Sequence, residues 1–560
     1  MSGTAVVFSI CGFFCHGRVA IAAIEIVKFT IKVHQIFRVG SIIAIAVCQP
    51  FECGSRKAKA AAIAEFIFRT VIEIAFRVDS SNLIGAGHTR RCVKLADDLR
   101  HKTKEIYFIT KNLSGNFNKL IDKKKFKKIL IKNFASKSKL ENDWKSTINI
   151  CKKLKINILI VDSYELGVKW EKKVRKYVDK LAVIDDFSKI KHNADIMINN
   201  LNKKNDDRTI YLVGLEYIII PNQISKRILE KKSKKENLTI GTFFGSSDNK
   251  NVSEKFLKIV SDKKFNNYKF ISILGENNKN RKKIENNFKG YKNLFIVPRY
   301  KNIENFFKQI DILVGPGNVT SFEAIYSHIK CINIPINFFQ KMNSNFQEKN
   351  KVATTLDQKK IFNKEGKKIL INYFEKLSKE NKPLENEIYL DGNGSRRISE
   401  ILVPSKFNQV SIKTAKNQED CLDLFKLHNE KENIKNSFNQ KKQKYKDHLK
   451  WFKKKILSKK SYIFIFRINN LCVGQVRFDL IKKDVGLIDY SLDKIFRGRG
   501  WGKLILDKAI KTINHTNKIN SFKAKVKKTN QQSIKIFRNL LFIQKKKKKY
   551  LEFNKNIALN

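Results

Sequence analysis

Short apolar runs separated by amphipathic stretches recur through the middle of the chain, and this alternation constrains the fold more than any other feature. The runs include "EIAFRVDS" (73–80), "EIYFIT" (105–110), "INILIVDS" (156–163), "KLAVIDD" (180–186), "LTIGTFFG" (238–245), "YKFISILG" (268–275), "DILVG" (311–315) and "CINIP" (331–335). Strands of this length alternating with helical patterns predict parallel sheets covered by helices. Two such sets are visible, 74–235 and 236–405, each long enough for one doubly wound domain. Ligands in that architecture bind beyond the carboxyl ends of the strands.

Four motifs occupy those positions. "EIAFRVDS" alternates like a strand, and after "GAGH" the residues Cys92, Leu95, Ala96 and Leu99 share a helical face. Gly85 and Gly87 suit a tight turn, and His88 begins the helix. "VDSYELGVKW" puts Asp162, Ser163 and Tyr164 at a strand end. "FFGSSDNKN" offers Gly245, Ser246, Ser247 and Asp248 before another helix, a suitable phosphate cradle. "VGPGNVTSFEAI" supplies Gly315, Gly317, Thr320 and Ser321, with Glu323 one turn into the helix, where it would also suit the helix dipole. Two phosphate-compatible helix starts in one domain suggest a nucleoside diphosphate.

A formal charge of +62 raises nucleic acid or an anionic membrane as partners. The lysines are dispersed among Asn, Ile and Phe, however, and only 7 prolines occur, a bias expected of an AT-rich genome. No zinc-finger spacing or aromatic-basic RNA-binding signature is present, so specific nucleic-acid binding is not expected. A basic nucleic-acid-binding protein stands as the non-enzyme alternative, distinguished by strongly salt-dependent binding to random DNA.

The 9 cysteines form no CxxC pair, which favours a reducing cytoplasm over a disulfide framework. Residues 1–73 differ in composition, with 4 of the cysteines, no Asn and only 4 Lys. Their longest uncharged stretch, "VGSIIAIAVCQPF", is too short to span a bilayer, and no signal-peptide cleavage pattern follows. This atypical leader reads as a misassigned start or a frame artefact.

In order and spacing, the motifs of 74–402 resemble the UDP-2,4-diacetamido-2,4,6-trideoxy-β-L-altropyranose hydrolases of pseudaminic acid biosynthesis. The pattern D-x-S-x-x-I-G-x-G-H-x-x-R-C is similar to Asp79, Ser81, Ile84, Gly85, Gly87, His88, Arg91 and Cys92. The family's VVD-x-Y-x-L resembles Val161, Asp162, Tyr164 and Leu166, and its VIDD resembles Val183 to Asp186. "FGSSD" stands for FGGSD, "GPGNVTSFE" for GGGSTSWE with Pro316 and Phe322 as departures, and "DGNGSRRI" resembles a closing DGxGxxR.

That resemblance implies a GT-B-like pair of domains with UDP in the C-terminal half, and attack of water at the anomeric carbon of a UDP-linked amino sugar. It implies His88 as the base, a role suited to imidazole, which exchanges protons near neutral pH. It further implies substrate contacts from Gly85, Gly87, Arg91, Asp162, Tyr164, the 245–248 and 317–323 loops, and the Asn337 and Gln340 of "NFFQ". Glu323 resembles the ribose-binding carboxylate. No metal is expected: backbone N–H groups, helix dipoles and basic residues must meet the charge of the leaving UDP.

Residues 406–560 change character, with a hairpin in "SYIFIFRINNLCVGQVRFDL" and then "VGLIDYSL" leading into "RGRGWGKLILDKAI". Arg497, Gly500 and Gly502 resemble the R-x-x-G-x-G signature of the GCN5-related N-acetyltransferases (GNAT). The implied cofactor is acetyl-CoA, bound at Arg497 and with its pyrophosphate cradled by backbone N–H groups of Gly498, Arg499, Gly500, Trp501, Gly502 and Lys503. Asn530 and Ser533 resemble residues lining the cofactor arm, while Phe537 stands where many relatives carry a proton-donating tyrosine. "NSFNQ" and "HLKWF" are similar to the subgroup acting on nucleotide-linked amino sugars.

The combined expectation is a mixed α/β, bifunctional cytoplasmic enzyme: a GT-B-like hydrolase pair followed by an N-acetyltransferase, without a membrane span. The enzyme alternative is a GT-B glycosyltransferase fused to an N-acetyltransferase of different substrate, since fold does not dictate chemistry.

Overall fold

In the computed structural model the alternating runs become three sheets. The structure describes residues 72–132, 139–186, 191–198, 208–221, 224, 238–245, 248–275, 277–297, 303–379, 388–517 and 519–557. The leader up to residue 71 and the pair Ser246 and Ser247 lie outside the described residues.

The first sheet contains β1 (Glu73–Val78), β2 (Glu105–Lys111), β3 (Lys127–Ile131), β4 (Ile158–Asp162), β5 (Lys180–Ile184), β6 (Ile196–Ile198) and β7 (Ile210–Leu212). They run parallel in the order β3-β2-β1-β4-β5-β6-β7. Successive connections leave β1 in opposite directions, so a crevice opens beyond the carboxyl ends of β1 and β4. The alternation read in "EIAFRVDS" does not mean a half-exposed strand, for all six residues of β1 are buried. Ile74, Phe76 and Val78 face one helical layer and Ala75 the other, as a central parallel strand requires.

The second sheet repeats the plan. It holds β8 (Thr239–Thr242), β9 (Lys269–Ile273), β10 (Leu294–Val297), β11 (Ile312–Gly315), β12 (Lys330–Asn333) and β13 (Thr354–Thr355). The order is β10-β9-β8-β11-β12-β13, all parallel, with its switch point between β8 and β11.

Helix α1 (Gly87–Leu99) follows β1, and α2 (Lys139–Leu154) and α3 (Val168–Val174) flank β4. In the second half, α4 (Val252–Val260) follows β8, α5 (Val319–Tyr326) follows β11 and α6 (Phe338–Lys349) follows β12. Helix α7 (Gly394–Leu402) follows the second half in sequence but contributes Ile398 and Leu402 to the first half's core, beside Cys92, Leu95 and Leu99 of α1. A boundary at 405 drawn from sequence order groups this helix with the second half. Its apolar face is buried on the first.

The third sheet is mixed: β14 (Ser411–Thr414), β15 (Ser461–Ile468), β16 (Leu471–Lys482), β17 (Val485–Leu492), β18 (Ser521–Val526), β19 (Ile543–Lys546) and β20 (Leu551–Asn556). Its order is β14-β15-β16-β17-β18-β20-β19, with β17 and β18 the parallel pair. Around it lie α8 (Gln418–Asn429), α9 (Lys431–Asn436), α10 (Tyr445–Ile456), α11 (Trp501–Asn517) and α12 (Gln531–Asn539). The architecture is thus a GT-B-like pair of doubly wound domains followed by a mixed α/β domain. Among the described residues, no helix is long and apolar enough to cross a membrane.

Candidate active sites

The loop from β1 to α1 closes on itself. Ser81 Oγ accepts from the N–H groups of Leu83 and Ile84 at 3.2 and 3.1 Å, and the Gly85 N–H donates to the Ser81 carbonyl at 2.8 Å. Gly85 lies at φ +81°, a left-handed conformation that glycine adopts without strain. The chain thereby enters α1 with His88 in its first turn, aimed at the end of β4.

There His88 Nδ1 lies 2.5 Å from Asp162 Oδ1. Arg91, one helical turn on, donates through Nε to Asp162 Oδ2 and through Nη2 to Oδ1, both at 2.6 Å. Its Nη1 reaches Asp186 Oδ2 at 2.6 Å, and the Tyr164 hydroxyl donates to the same oxygen at 2.9 Å. Burial alone would raise the Asp162 carboxyl, but Arg91 and His88 outweigh it and hold Asp162 well below the usual carboxylate range. An ionised carboxylate can only accept, so Nδ1 is the ring nitrogen that donates to Asp162 and Nε2 is the one turned away from it. Burial pushes the Tyr164 phenol well above its ordinary value, so it remains a donor. Burial also pushes the Cys92 thiol well up, which removes it as a nucleophile.

Behind this cluster lies a charge network that periodicity does not reveal. Arg77 is fully buried in β1 and binds Asp143 at 2.6 Å and Asp79 at 2.8 Å. Lys111 approaches Asp143 at 2.7 Å, and Trp170 Nε1 donates to Asp143 Oδ1 at 3.0 Å. Asp79 Oδ1 accepts the Lys111 N–H at 2.8 Å, anchoring the start of the His88 loop. Asp186, unlike Arg77 and Asp143, could have been found from its place in VIDD.

The second half faces this cluster across a cleft of about 1080 Å³. It contributes Phe339, whose ring stacks on Tyr164 at 5.1 Å and 14°, while Tyr164 meets His88 edge-on at 4.6 Å. Phe339 was missed between the two residues of "NFFQ" singled out by resemblance. Gly87, Thr320 and Glu323 also line the cleft. Gly245 does so at φ +103°, with nothing within 4 Å of where a Cβ would project.

Several predicted contacts serve local structure. Asp248 caps α4, accepting from the N–H groups of Val252 and Ser253 at 2.9 and 2.8 Å. Asn337 Oδ1 accepts the Gln340 N–H, and Gln340 Oε1 accepts the Ile336 N–H, each at 2.9 Å, so both oxygens secure the start of α6 at the cleft wall. Ser321 is buried and donates to Asn333 Oδ1 at 3.2 Å. Gly317 supports the loop from behind: a Cβ there would fall 2.0 Å from Ser344 Oγ.

A second cleft, of about 1000 Å³, opens in the third sheet. β17 and β18 pair from Val485 to Ile488 against Ser521 to Ala524, and the strands continue beyond without pairing. The Arg497–Lys503 turn borders this gap, with Gly498 at φ +75° and Gly500 at φ +83°. Arg497 points into the fold, donating to the Glu430 carboxylate and, at 3.0 Å each, to Asn433 Oδ1 and the Leu492 carbonyl. Trp501 is buried, Gly502 allows α12 to approach, and Asn530 Oδ1 caps α12 by accepting the Ser533 N–H at 3.1 Å. Tyr490, not singled out in the sequence, joins Ser533 Oγ at 2.8 Å and meets Phe537 edge-on. Among the described residues no group of three or more His, Cys, Asp or Glu is placed to hold a metal ion.

Residues 412–542 match the family model described as acetyltransferase (GNAT) domain. The chain is 28% identical over 289 residues to an uncharacterized protein of Methanocaldococcus jannaschii, covering 48% of this chain and 57% of that relative's length. It is 28% identical over 264 residues to the UDP-2,4-diacetamido-2,4,6-trideoxy-beta-L-altropyranose hydrolase of Campylobacter jejuni, covering 45% of this chain and 88% of the hydrolase. A solved structure of MurG from Acinetobacter baumannii aligns with a TM-score of 0.45 and 12% identity, over 59% of this chain and 99% of MurG. The chain is a fusion in which a GT-B-like pair, homologous to the altropyranose hydrolase, runs into a C-terminal GNAT acetyltransferase domain.

Proposed function

We propose that the chain is a bifunctional enzyme of pseudaminic acid biosynthesis. Its acetyltransferase domain, 406–560, moves an acetyl group from acetyl-CoA to the C4 amine of UDP-4-amino-4,6-dideoxy-N-acetyl-β-L-altrosamine. Its paired halves, 74–235 and 236–405, then hydrolyse the diacetamido product to UDP and free sugar. A cytoplasmic setting suits both substrates, and the described cysteines Cys92, Cys151, Cys331, Cys421 and Cys472 form no disulfide.

The observation that carries the hydrolase reading is the His88–Asp162 pair at the carboxyl ends of two adjacent strands. With Nδ1 committed to Asp162, Nε2 takes a proton from water as that water attacks the anomeric carbon and the bond to UDP breaks. Arg91 holds Asp162 in place, and Gly245, Thr320 and Glu323 stand on the side assigned to UDP. In the third domain the turn fits a pyrophosphate: two glycines lie at positive φ, and the space beside Gly498 is open to 4 Å. Its N–H groups, with Lys503 beside them, would hold acetyl-CoA, which supplies the acyl group when bound.

The test is product analysis by NMR with the synthetic UDP-amino sugar and acetyl-CoA. Sequential appearance of the acetylated nucleotide sugar and then UDP with free sugar supports the proposal. Sugar transfer to an added acceptor, in place of release to water, would establish a glycosyltransferase.

A further inference from the structure

The turn that borders the third-sheet cleft is supported from outside the stretch that matches the GNAT family. Phe407 precedes the GNAT match at 412–542, yet it lines the same cleft. Its ring meets Trp501 edge-on at 4.7 Å and 89°. A Cβ built on Gly500 would lie 3.1 Å from Phe407 Cζ, so the ring tip lies close against the turn's second left-handed glycine.

Phe407 is itself anchored. Glu400 of α7 accepts from the Ser405 N–H at 2.7 Å and the Ser405 hydroxyl at 2.6 Å, and from Lys102, in the turn that follows α1, at 2.6 Å. Gln409 Oε1 accepts the Lys406 N–H at 3.2 Å, closing the short helical turn that carries Phe407. Arg499, between the two glycines, reaches back to the Glu400 carbonyl at 3.4 Å. Three residues before Arg497, Lys494 pairs with Glu216 of the first half at 2.9 Å.

We propose that Phe407 is a positioning residue for acyl-CoA: it holds the Gly498–Lys503 turn in its anion-binding conformation, so that the segment leading from α7 into the third sheet completes the acetyltransferase's cofactor site. This inference rests on reading that turn as the pyrophosphate cradle. Two left-handed glycines one residue apart have many alternative conformations, and a turn that must be ordered at binding loses affinity to entropy. An aromatic ring anchored on α7 restricts those alternatives before the ligand arrives. The effect belongs to ligands that carry the pyrophosphate, because the cofactor arm is read as running past Asn530 and Ser533 rather than past Phe407.

The full chain and its Phe407→Ala, Phe407→Leu and Phe407→Tyr variants are titrated calorimetrically with CoA and with pantetheine, and acetyl-CoA KM and kcat are measured. Phe407→Ala should weaken CoA about tenfold, the scale of ordering one or two turn residues, and raise the acetyl-CoA KM equally with kcat little changed. Phe407→Tyr should restore affinity, Phe407→Leu should fall between, and pantetheine should bind all four proteins alike. Unaltered or tighter CoA binding by Phe407→Ala, or an equal loss for pantetheine, would overturn the proposal. If Phe407→Ala does not fold, the same criteria apply to Phe407→Leu. Absence of CoA binding by the wild type would instead refute the acyl-CoA reading on which the proposal depends.

Discussion

His88 and Asp162, 74 residues apart, meet with Nδ1 and Oδ1 separated by 2.5 Å. The contact exists because β1 and β4 are parallel neighbours whose carboxyl ends open on the same crevice. It engages one ring nitrogen with the carboxylate, and the proposed base role falls to the other.

Replacing His88 should therefore stop hydrolysis without stopping acetylation. His88→Ala is expected to lower the hydrolysis rate about 10²- to 10⁴-fold, the usual contribution of a positioned base. UDP binding should persist, since its assigned contacts lie in the other half. In a coupled reaction followed by NMR, the acetylated UDP-sugar should accumulate; near wild-type release of free sugar would remove His88 from the base role.

Phe339→Ala probes closure of the first cleft. Phe339 comes from the second half and stacks on Tyr164 of the first. Aromatic pairs of this kind contribute about 0.5–1.5 kcal/mol beyond area burial, so kcat/KM for hydrolysis should fall roughly 2- to 10-fold. Acetylation, measured in the same preparation, should not change.

Gly500→Glu should abolish acetylation. The substitution forces a side chain onto φ +83°, directs it at Phe407 and brings a carboxylate to the anion cradle. Hydrolysis of pre-acetylated substrate should survive, because the His88 cleft contains no residue of that turn. Equal loss of both activities in a folded protein would contradict two separate sites.

His448 predicts an acid limb of stability. Burial, followed by the charge of His428, pushes its imidazole down to about 4 from an ordinary 6.5. The unfolded chain therefore takes up this proton first as pH falls. Its contribution is fully present above about pH 6.5 and is lost progressively down to about pH 4. Scanning calorimetry should show wild type losing more stability between about pH 7.5 and about pH 5 than His448→Gln does; parallel losses would argue against a buried neutral ring.

The glycine turns were legible in the sequence because their requirement is local. Gly85, Gly245, Gly317, Gly498 and Gly500 all lie at positive φ, and a short apolar run followed by such a turn and an amphipathic helix is a pattern of neighbours along the chain. Asp162 and His88 were equally visible as residue types at strand ends. Their 2.5 Å contact was not, since it depends on which strands pair.

Asp248, Asn337 and Asn530 illustrate the converse. Carboxylate and amide side chains before a helix suit both a ligand and the helix's own N–H groups, and here the caps claim their oxygens. Arg77 looks like a polar position of an alternating strand, but β1 is central, so its charge is buried and met by Asp79 and Asp143. The helix at 394–402 returns to the first half, and Phe407 reaches Gly500, for a related reason. Local spacing sets which segments become strands, turns and helices; burial of their apolar faces against distant segments sets which polar groups meet, and that information belongs to the packed chain as a whole.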